Sequence, residues 1–176
     1  MGYNLKIGVT CGAVYCGITL LLFQLFGNSI NFTTKFFLDF VLLNIVLYVF
    51  LYFPIKRKIY SLSEPKFYYG EGMKSGFGAT FFASIFIVIF MFIFYNYINK
   101  DFLSSIKDSA LPQLNKAALD SLKKSNSIKT LIANSSPVTL MLQQFAFTII
   151  SGMVASFIIG AFISKSKSQK DAGKRN

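Results

Sequence analysis

The acidic side chain best placed for chemistry is Asp39, because it is the only charged residue inside the four long apolar segments of the sequence. An ionisable group within a membrane segment is costly to bury, and such groups often mark a path for protons or cations. The other reactive groups are few. The 176 residues include no histidine, so neither a histidine base nor a Cys and His metal spacing is present. The sequence therefore predicts no catalytic residue, no metal and no cofactor.

Uncharged polar side chains also occur in the apolar segments, mostly in the half that we assign to the outside of the membrane. They are Gln24, Asn44, Gln143, Gln144 and Thr148. In one interpretation they form hydrogen bonds between helices, each worth about 0.6 kcal/mol, while Asp39 stays hydrated and pairs with Lys35. In the other they line a cavity open to the outside, in which Asp39 binds a proton or a cation. We prefer the first, because one acid near an interface does not require a transported ion.

Small residues recur at every fourth position in three of the four segments. The series are Gly8 and Gly12 in the first segment, Gly76, Thr80 and Ser84 in the third, and Gly152, Ser156 and Gly160 in the fourth. This spacing lets helix backbones approach closely. We therefore predict that these faces pack helix against helix toward the cytoplasmic side, whereas the large side chains of the second segment contact lipid.

Four apolar segments must position these residues. They cover about residues 7–26, 36–55, 76–98 and 138–163. Each is long enough to cross a hydrocarbon core of about 30 Å at about 1.5 Å per residue. Too little sequence remains for a separate soluble core. The predicted fold class is an all-α integral membrane protein, a bundle of four transmembrane helices that forms a single domain over residues 1–176.

Lysine and arginine residues predict the orientation. They cluster from Lys56 to Lys74 and in the tail over residues 164–176, whereas the first connection holds only Lys35. Because short basic loops stay on the cytoplasmic side, both termini should be cytoplasmic. This topology also explains the net charge of +11 without nucleic acid as a partner. Anionic lipid remains a possible partner of the basic segments.

The connection over about residues 99–137 has the apolar periodicity of helices. Phe102, Leu103 and Ile106 share one helical face, and a second apolar face extends from Leu111 to Leu122. We expect one or two amphipathic helices in this extracytoplasmic insert, lying on the membrane surface. The alternative is a docking surface for a partner helix.

A glycine-rich stretch from Gly70 to Gly78 includes Glu71 and Lys74, where the chain approaches the third segment. It resembles a phosphate-binding loop only in its glycines, since no Walker pattern and no preceding strand accompany it. A hinge or packing role is therefore preferred for these glycines.

Three stretches carry a resemblance to a known family: Tyr69–Gly76, Tyr97–Phe102 and Gly152–Lys165. Over these and most of its length, the sequence resembles an uncharacterised bacterial membrane family, domain of unknown function 4199, which is typical of Bacteroidetes. The resemblance implies four spans in the inner membrane and no established activity. Lys100 stands where the family more often has proline, and Gly72 stands where a larger residue is common.

These patterns predict a multi-pass inner-membrane protein that is a non-enzymatic subunit or assembly partner in a membrane complex. Its expected partners are the lipid bilayer and either copies of itself or other membrane proteins. The alternative is a small oligomeric transporter or channel with a polar outer cavity around Asp39. An intramembrane enzyme is the weakest option, because acids, bases and metal ligands are so few.

Overall fold

A computed structural model describes residues 2–27, 32–101, 104 and 136–173, with the side chains of 32–36 and 66 left out. The long helices within these ranges are α1 (Gly2–Phe26), α2 (Phe32–Tyr60), α3 (Tyr68–Ile93) and α4 (Pro137–Gly173). A 3₁₀ turn at Pro65–Phe67 precedes α3, and a π-helical turn at Phe94–Ile98 follows it. These described ranges contain no strand, so the predicted all-α class is confirmed.

All four helices are long and apolar enough to cross a membrane, which confirms the predicted number of spans. In a bilayer the backbone must satisfy its own hydrogen bonds, and a helix does so within one segment. Large apolar side chains point outward, for example Phe37, Ile89 and Phe162, which are 64%, 56% and 73% exposed. Such a surface is stable in lipid and costly in water. The protein is therefore a multi-pass membrane protein.

All four helices extend beyond the predicted apolar segments at one end of the bundle, and α3 and α4 extend furthest. α3 begins at Tyr68 rather than Gly76, and α4 continues through most of the predicted tail to Gly173. At this end α1 and α3 begin, and α2 and α4 end; we call it the basic end, since the basic residues of α2, α3 and α4 gather there. Its predicted cytoplasmic location stays a prediction.

α3 lies at the centre of the bundle and packs against α1, α2 and α4. On α2, the face that packs against α3 has an aliphatic residue at every fourth position. The members of this face are Leu43, Leu47, Leu51, Ile55 and Ile59, each at most 1% exposed. The other faces of α2 bear residues such as Ile45 and Val49, more than half exposed. The second helix therefore contacts lipid on only part of its circumference.

Two predictions fall largely outside the described residues. The amphipathic helices expected over about 99–137 lie almost entirely beyond those ranges, and so does the side chain of Lys35 that was expected to pair with Asp39.

Candidate functional site

Glycines on α1 bring its backbone against α3. A Cβ atom at Gly8 would lie 2.5 Å from the Ala79 carbonyl oxygen, and one at Gly12 would lie 3.2 Å from the Ala83 carbonyl oxygen. A side chain at Gly8 would therefore collide with backbone, which cannot move without shifting the helix. The spacing between α1 and α3 depends on glycine at this position.

α3 and α4 approach each other through small residues on both helices. A Cβ atom at Gly152 would lie within 3.0 Å of three Thr80 side-chain atoms, and Gly76 similarly faces the Ser156 hydroxyl. Both hydroxyl groups are buried and donate to carbonyl oxygens one turn earlier on their own helices, Thr80 to Gly76 at 3.0 Å and Ser156 to Gly152 at 2.7 Å. The close approach therefore leaves neither hydroxyl without an acceptor.

The other two members of the small-residue series, Ser84 and Gly160, also lie inside the bundle. Ser84 is buried, and its hydroxyl donates to the Phe81 carbonyl oxygen at 2.8 Å. A Cβ atom at Gly160 would lie 3.6 Å from the Tyr69 ring, an ordinary van der Waals contact. All three small-residue faces thus lie inside the bundle, where they join α1 to α3 and α3 to α4.

Two of the predicted cavity residues meet around a buried tyrosine in the half of the bundle away from the basic end. Tyr15 on α1 is fully buried, and Gln144 on α4 donates its Nε2 hydrogen to the Tyr15 hydroxyl oxygen at 3.3 Å. The Asp39 carboxylate on α2 interacts electrostatically with Tyr15 and with Tyr95 in the π-helical turn. We call Tyr15, Asp39, Tyr95 and Gln144 the polar cluster. Its members come from all four helical spans, and the hydrogen bond between Gln144 and Tyr15 joins α4 to α1 in this half.

The other predicted cavity residues point elsewhere. Gln24 and Gln143 are exposed on the outer surfaces of α1 and α4. Asn44 donates to the Phe40 carbonyl oxygen of its own helix at 2.8 Å. Thr148 is buried next to the cluster, but its hydroxyl donates to the Gln144 carbonyl oxygen at 2.7 Å. The structure therefore places Asp39 and Gln144 around Tyr15, with Thr148 beside Gln144, and it leaves Gln24, Asn44 and Gln143 apart from them.

The sequence analysis did not predict either tyrosine of the polar cluster, because an aromatic residue in an apolar segment is usually a packing residue of the core. A signal existed for Tyr15, which shares a helical face with Cys11 and the buried Thr19. Tyr95 lies in a π-helical turn, a feature that often occurs at functional sites and that hydropathy does not reveal.

A buried lysine caps α2 at the basic end. Among the described residues, Lys167 is the one charged side chain in the buried class, at 8% exposure. Its Nζ donates to the Ile59 carbonyl oxygen at 3.0 Å and to the Leu62 carbonyl oxygen, and lies 4.1 Å from the centroid of the Tyr68 ring. The last carbonyls of a helix lack intrahelical donors and carry partial negative charge, so a cation there stabilises the helix end.

The next turn of α4 contacts the start of α3. The Tyr68 hydroxyl donates to Asp171 Oδ2 at 2.7 Å, and Asp171 lies one turn beyond Lys167. We call Lys167, Tyr68 and Asp171 the α4 clamp. Sequence reasoning placed Lys167 in a basic tail. The available signal was the spacing of Lys167 and Asp171, which puts opposite charges on one helical face.

An open pocket of ≈ 510 Å³ lies at the basic end between α1, α2 and α3. It is lined by Tyr3, Asn4, Pro54, Arg57, Lys58, Ser61, Glu71, Lys74 and Ser75, and we call it the basic pocket. Glu71 pairs with Lys74 at 2.8 Å and with Lys58 at 3.4 Å. The guanidinium of Arg57 stacks 4.1 Å from the centroid of the Tyr3 ring. Three cations and one carboxylate line the pocket, so its lining carries a net positive charge.

Neither region resembles a metal centre. Within the described ranges, no group of three or more His, Cys, Asp or Glu side chains could hold a metal ion. Cys11 and Cys16 are both buried and unpaired by a disulfide. The chemistry that these regions offer is electrostatic: a carboxylate that interacts with two phenols in the polar cluster, and an excess of positive charge in the basic pocket.

Comparison with known proteins gives a family but no activity. The family model described as "Protein of unknown function (DUF4199)" matches residues 6–165 of the 176-residue chain. No curated protein and no solved structure matches the chain. The matched range contains the polar cluster and most of the basic pocket, whereas Lys167 and Asp171 of the α4 clamp lie beyond it. The match confirms the resemblance noted in the sequence, and the chain belongs to the DUF4199 family.

Proposed function

We propose that the protein is a non-enzymatic subunit or assembly partner of a complex in the bacterial inner membrane, with both termini cytoplasmic. The observation that carries the proposal is the tight packing between the polar cluster and the basic pocket. In this region a Cβ atom does not fit at Gly8, where it would meet the backbone of α3, or at Gly152, where it would meet the Thr80 side chain. Because water and ions need more space than a Cβ atom, this packing supports a structural role over conduction.

The outer surface offers places for a membrane partner. Because the small-residue faces are occupied within the chain, a partner must bind elsewhere. Gln143 in the second turn of α4 and Gln24 in the last turn of α1 are exposed among apolar side chains. An amide in such surroundings gains from a hydrogen bond to a neighbouring helix, typically about 0.6 kcal/mol. We expect the partner to contact these two glutamines.

Purification of the full-length protein from native membranes in a mild detergent should retain a stoichiometric membrane protein or a second copy of the chain. Mass spectrometry identifies the partner, and light scattering gives the size of the complex. Gln143→Leu should reduce the retained partner severalfold, because it removes the amide. Val138→Leu, also exposed on α4, is the matched control. A monomer that purifies without a partner, or a Gln143→Leu variant that retains it fully, would contradict the proposal.

The second candidate function is a small oligomeric transporter or channel, and the polar cluster favours it. Asp39 interacts electrostatically with tyrosines of two other helical spans, and intramembrane carboxylates that face the bundle interior often mark proton and cation sites. In proteoliposomes, Asp39→Asn should lower proton or cation flux at least about tenfold, because the substituted amide carries no charge. Asp101→Asn, an exposed carboxylate, serves as the control. Full flux through Asp39→Asn would remove the main support for transport.

A further inference from the structure

We propose that the basic pocket binds a phosphate group, carried by an anionic phospholipid headgroup or by a soluble phosphate compound. This inference does not depend on the proposed partner role. The ligand is held by side chains gathered from α1, α2 and α3, and not by a glycine-rich loop.

The charges of the pocket leave room for an added anion. Glu71 lies within ion-pair distance of both Lys58 and Lys74. The two ammonium groups therefore already converge on one anionic group. Arg57 adds a third cation to the lining, so two positive charges exceed what Glu71 neutralises. A bound anion offsets this excess and relieves repulsion among the three cations.

Arg57 brings a guanidinium group to the pocket. Its central carbon lies over the Tyr3 ring, 4.1 Å from the ring centroid. The planar group carries its N–H donors along its edge. This edge matches two phosphate oxygens in a bidentate geometry that lysine cannot provide. The stacked ring also limits the rotation of the Arg57 side chain, so less entropy is lost on binding.

Asn4 supplies a neutral donor at the same place. Its Oδ1 accepts a hydrogen bond from the Ser75 hydroxyl at 3.0 Å, and Ser75 is buried. This contact orients the amide so that the Nδ2 hydrogens remain for other acceptors. Cationic and neutral donors on one side of a pocket are the arrangement expected for an oxyanion.

The position of the pocket matches the depth of lipid phosphates. It lies where α2 ends and α3 begins, beside Lys56, whose Nζ is 5.1 Å from the centroid of the Tyr52 ring. Tyrosine and basic residues at the ends of spanning helices lie at the level of the headgroups. The volume of ≈ 510 Å³ is in the range of small-ligand pockets, about 300–1,000 Å³. A headgroup phosphate can therefore reach Arg57 from the membrane, and a soluble phosphate can reach it from water.

The test uses the full-length protein in neutral detergent micelles, with thermal stability as the readout. One titration compares phosphatidylglycerol with phosphatidylcholine, and another compares glycerol phosphate with chloride at equal ionic strength. If the phosphate comes from a lipid, phosphatidylglycerol should stabilise the protein and glycerol phosphate should not. If the pocket binds a soluble phosphate compound, glycerol phosphate should stabilise the protein as well. Arg57→Gln should weaken the apparent affinity about tenfold. Lys165→Gln removes an equal charge from the exposed surface of α4 and should leave the affinity unchanged.

A second variant should change the affinity for phosphate in the opposite direction. Glu71→Gln removes the carboxylate that competes for Lys58 and Lys74, so phosphate should bind severalfold more tightly. Asp101→Asn, the same charge change at the other end of the bundle, should have no effect. The proposal is overturned if neither phosphate source stabilises the wild-type protein beyond its control, or if Lys165→Gln weakens binding as much as Arg57→Gln. Equal transition temperatures in phosphatidylcholine confirm that each variant is folded.

Discussion

Replacing Gly152 with alanine should destabilise the four-helix bundle by about 3 kcal/mol, at the upper end of the usual cost of overpacking a core. The added Cβ would lie within 3.0 Å of three side-chain atoms of Thr80. Thr80 cannot turn away, because it is fully buried, β-branched and bonded to the Gly76 carbonyl oxygen. The two helices must therefore separate, which reduces packing along the whole α3–α4 contact. Denaturant titration of the solubilised protein measures the free energy of unfolding.

Other glycines provide matched controls for Gly152→Ala. At Gly17 no atom lies within 4 Å of an added Cβ, so Gly17→Ala should be neutral or slightly stabilising through the helical preference for alanine. At Gly160 the nearest contact is 3.6 Å, so Gly160→Ala should cost little. Adding Thr80→Gly to Gly152→Ala should restore part of the loss, since it removes the atoms that collide. Equal stability of Gly152→Ala and Gly17→Ala would show that the α3–α4 contact is looser than described.

Replacing Lys167 with methionine should cost about 2–3 kcal/mol of folding free energy. Methionine keeps the length of the side chain but leaves the Ile59 and Leu62 carbonyls without their charged donor. Hydrogen bonds to charged groups contribute about 1.5–3 kcal/mol, and Lys167 is buried enough that solvent replaces them poorly. The effect should be local as well as global. Hydrogen exchange should become faster in the last turn of α2, because that turn loses its cap.

Two control substitutions distinguish the loss of the helix cap from the loss of a positive charge in general. Lys170→Met removes an exposed charge from the same helix and should change stability by less than about 0.5 kcal/mol. Tyr68→Phe keeps the ring beneath the Lys167 ammonium but loses the hydroxyl bond to Asp171, and should cost about 1 kcal/mol. If Lys170→Met were as destabilising as Lys167→Met, or if exchange at the end of α2 did not change, the capping role would be wrong.

At the basic end, α3 and α4 are longer than the apolar segments that hydropathy predicts, and the α4 clamp lies in these extra residues. Hydropathy detects where the chain enters lipid, and it predicted limits at Gly76 and Ile163. Helical structure requires only satisfied backbone hydrogen bonds and favourable packing, so α3 and α4 continue past the apolar core. Tyr68 and Lys167 lie in these extensions and pack against each other. The charge of Lys167 suggested a solvated tail, whereas its contacts bury it.

The polar residues show a second limit of sequence reasoning. Depth along a helix follows from position in the chain, but the direction of a side chain also depends on how the helix is rotated. Neighbouring residues differ by about 100° around the axis. Gln144 consequently reaches the Tyr15 hydroxyl, while Gln143 is exposed on the outside of α4. The sequence predicted both glutamines as cavity residues, although only Gln144 shares a helical face with Thr148 and Gly152.

By itself, the sequence determined that this protein has four helical spans, because a bilayer admits a backbone of this length only as apolar helices. The spacing of small residues also indicated which helix faces can approach closely. Only the tertiary structure decided which faces meet, as with Gly152 and Thr80, which polar groups converge on Tyr15, and that Lys167 caps α2. The physical reason is that hydrophobicity is a property of each segment, whereas rotation and pairing of helices depend on contacts between residues distant in the chain.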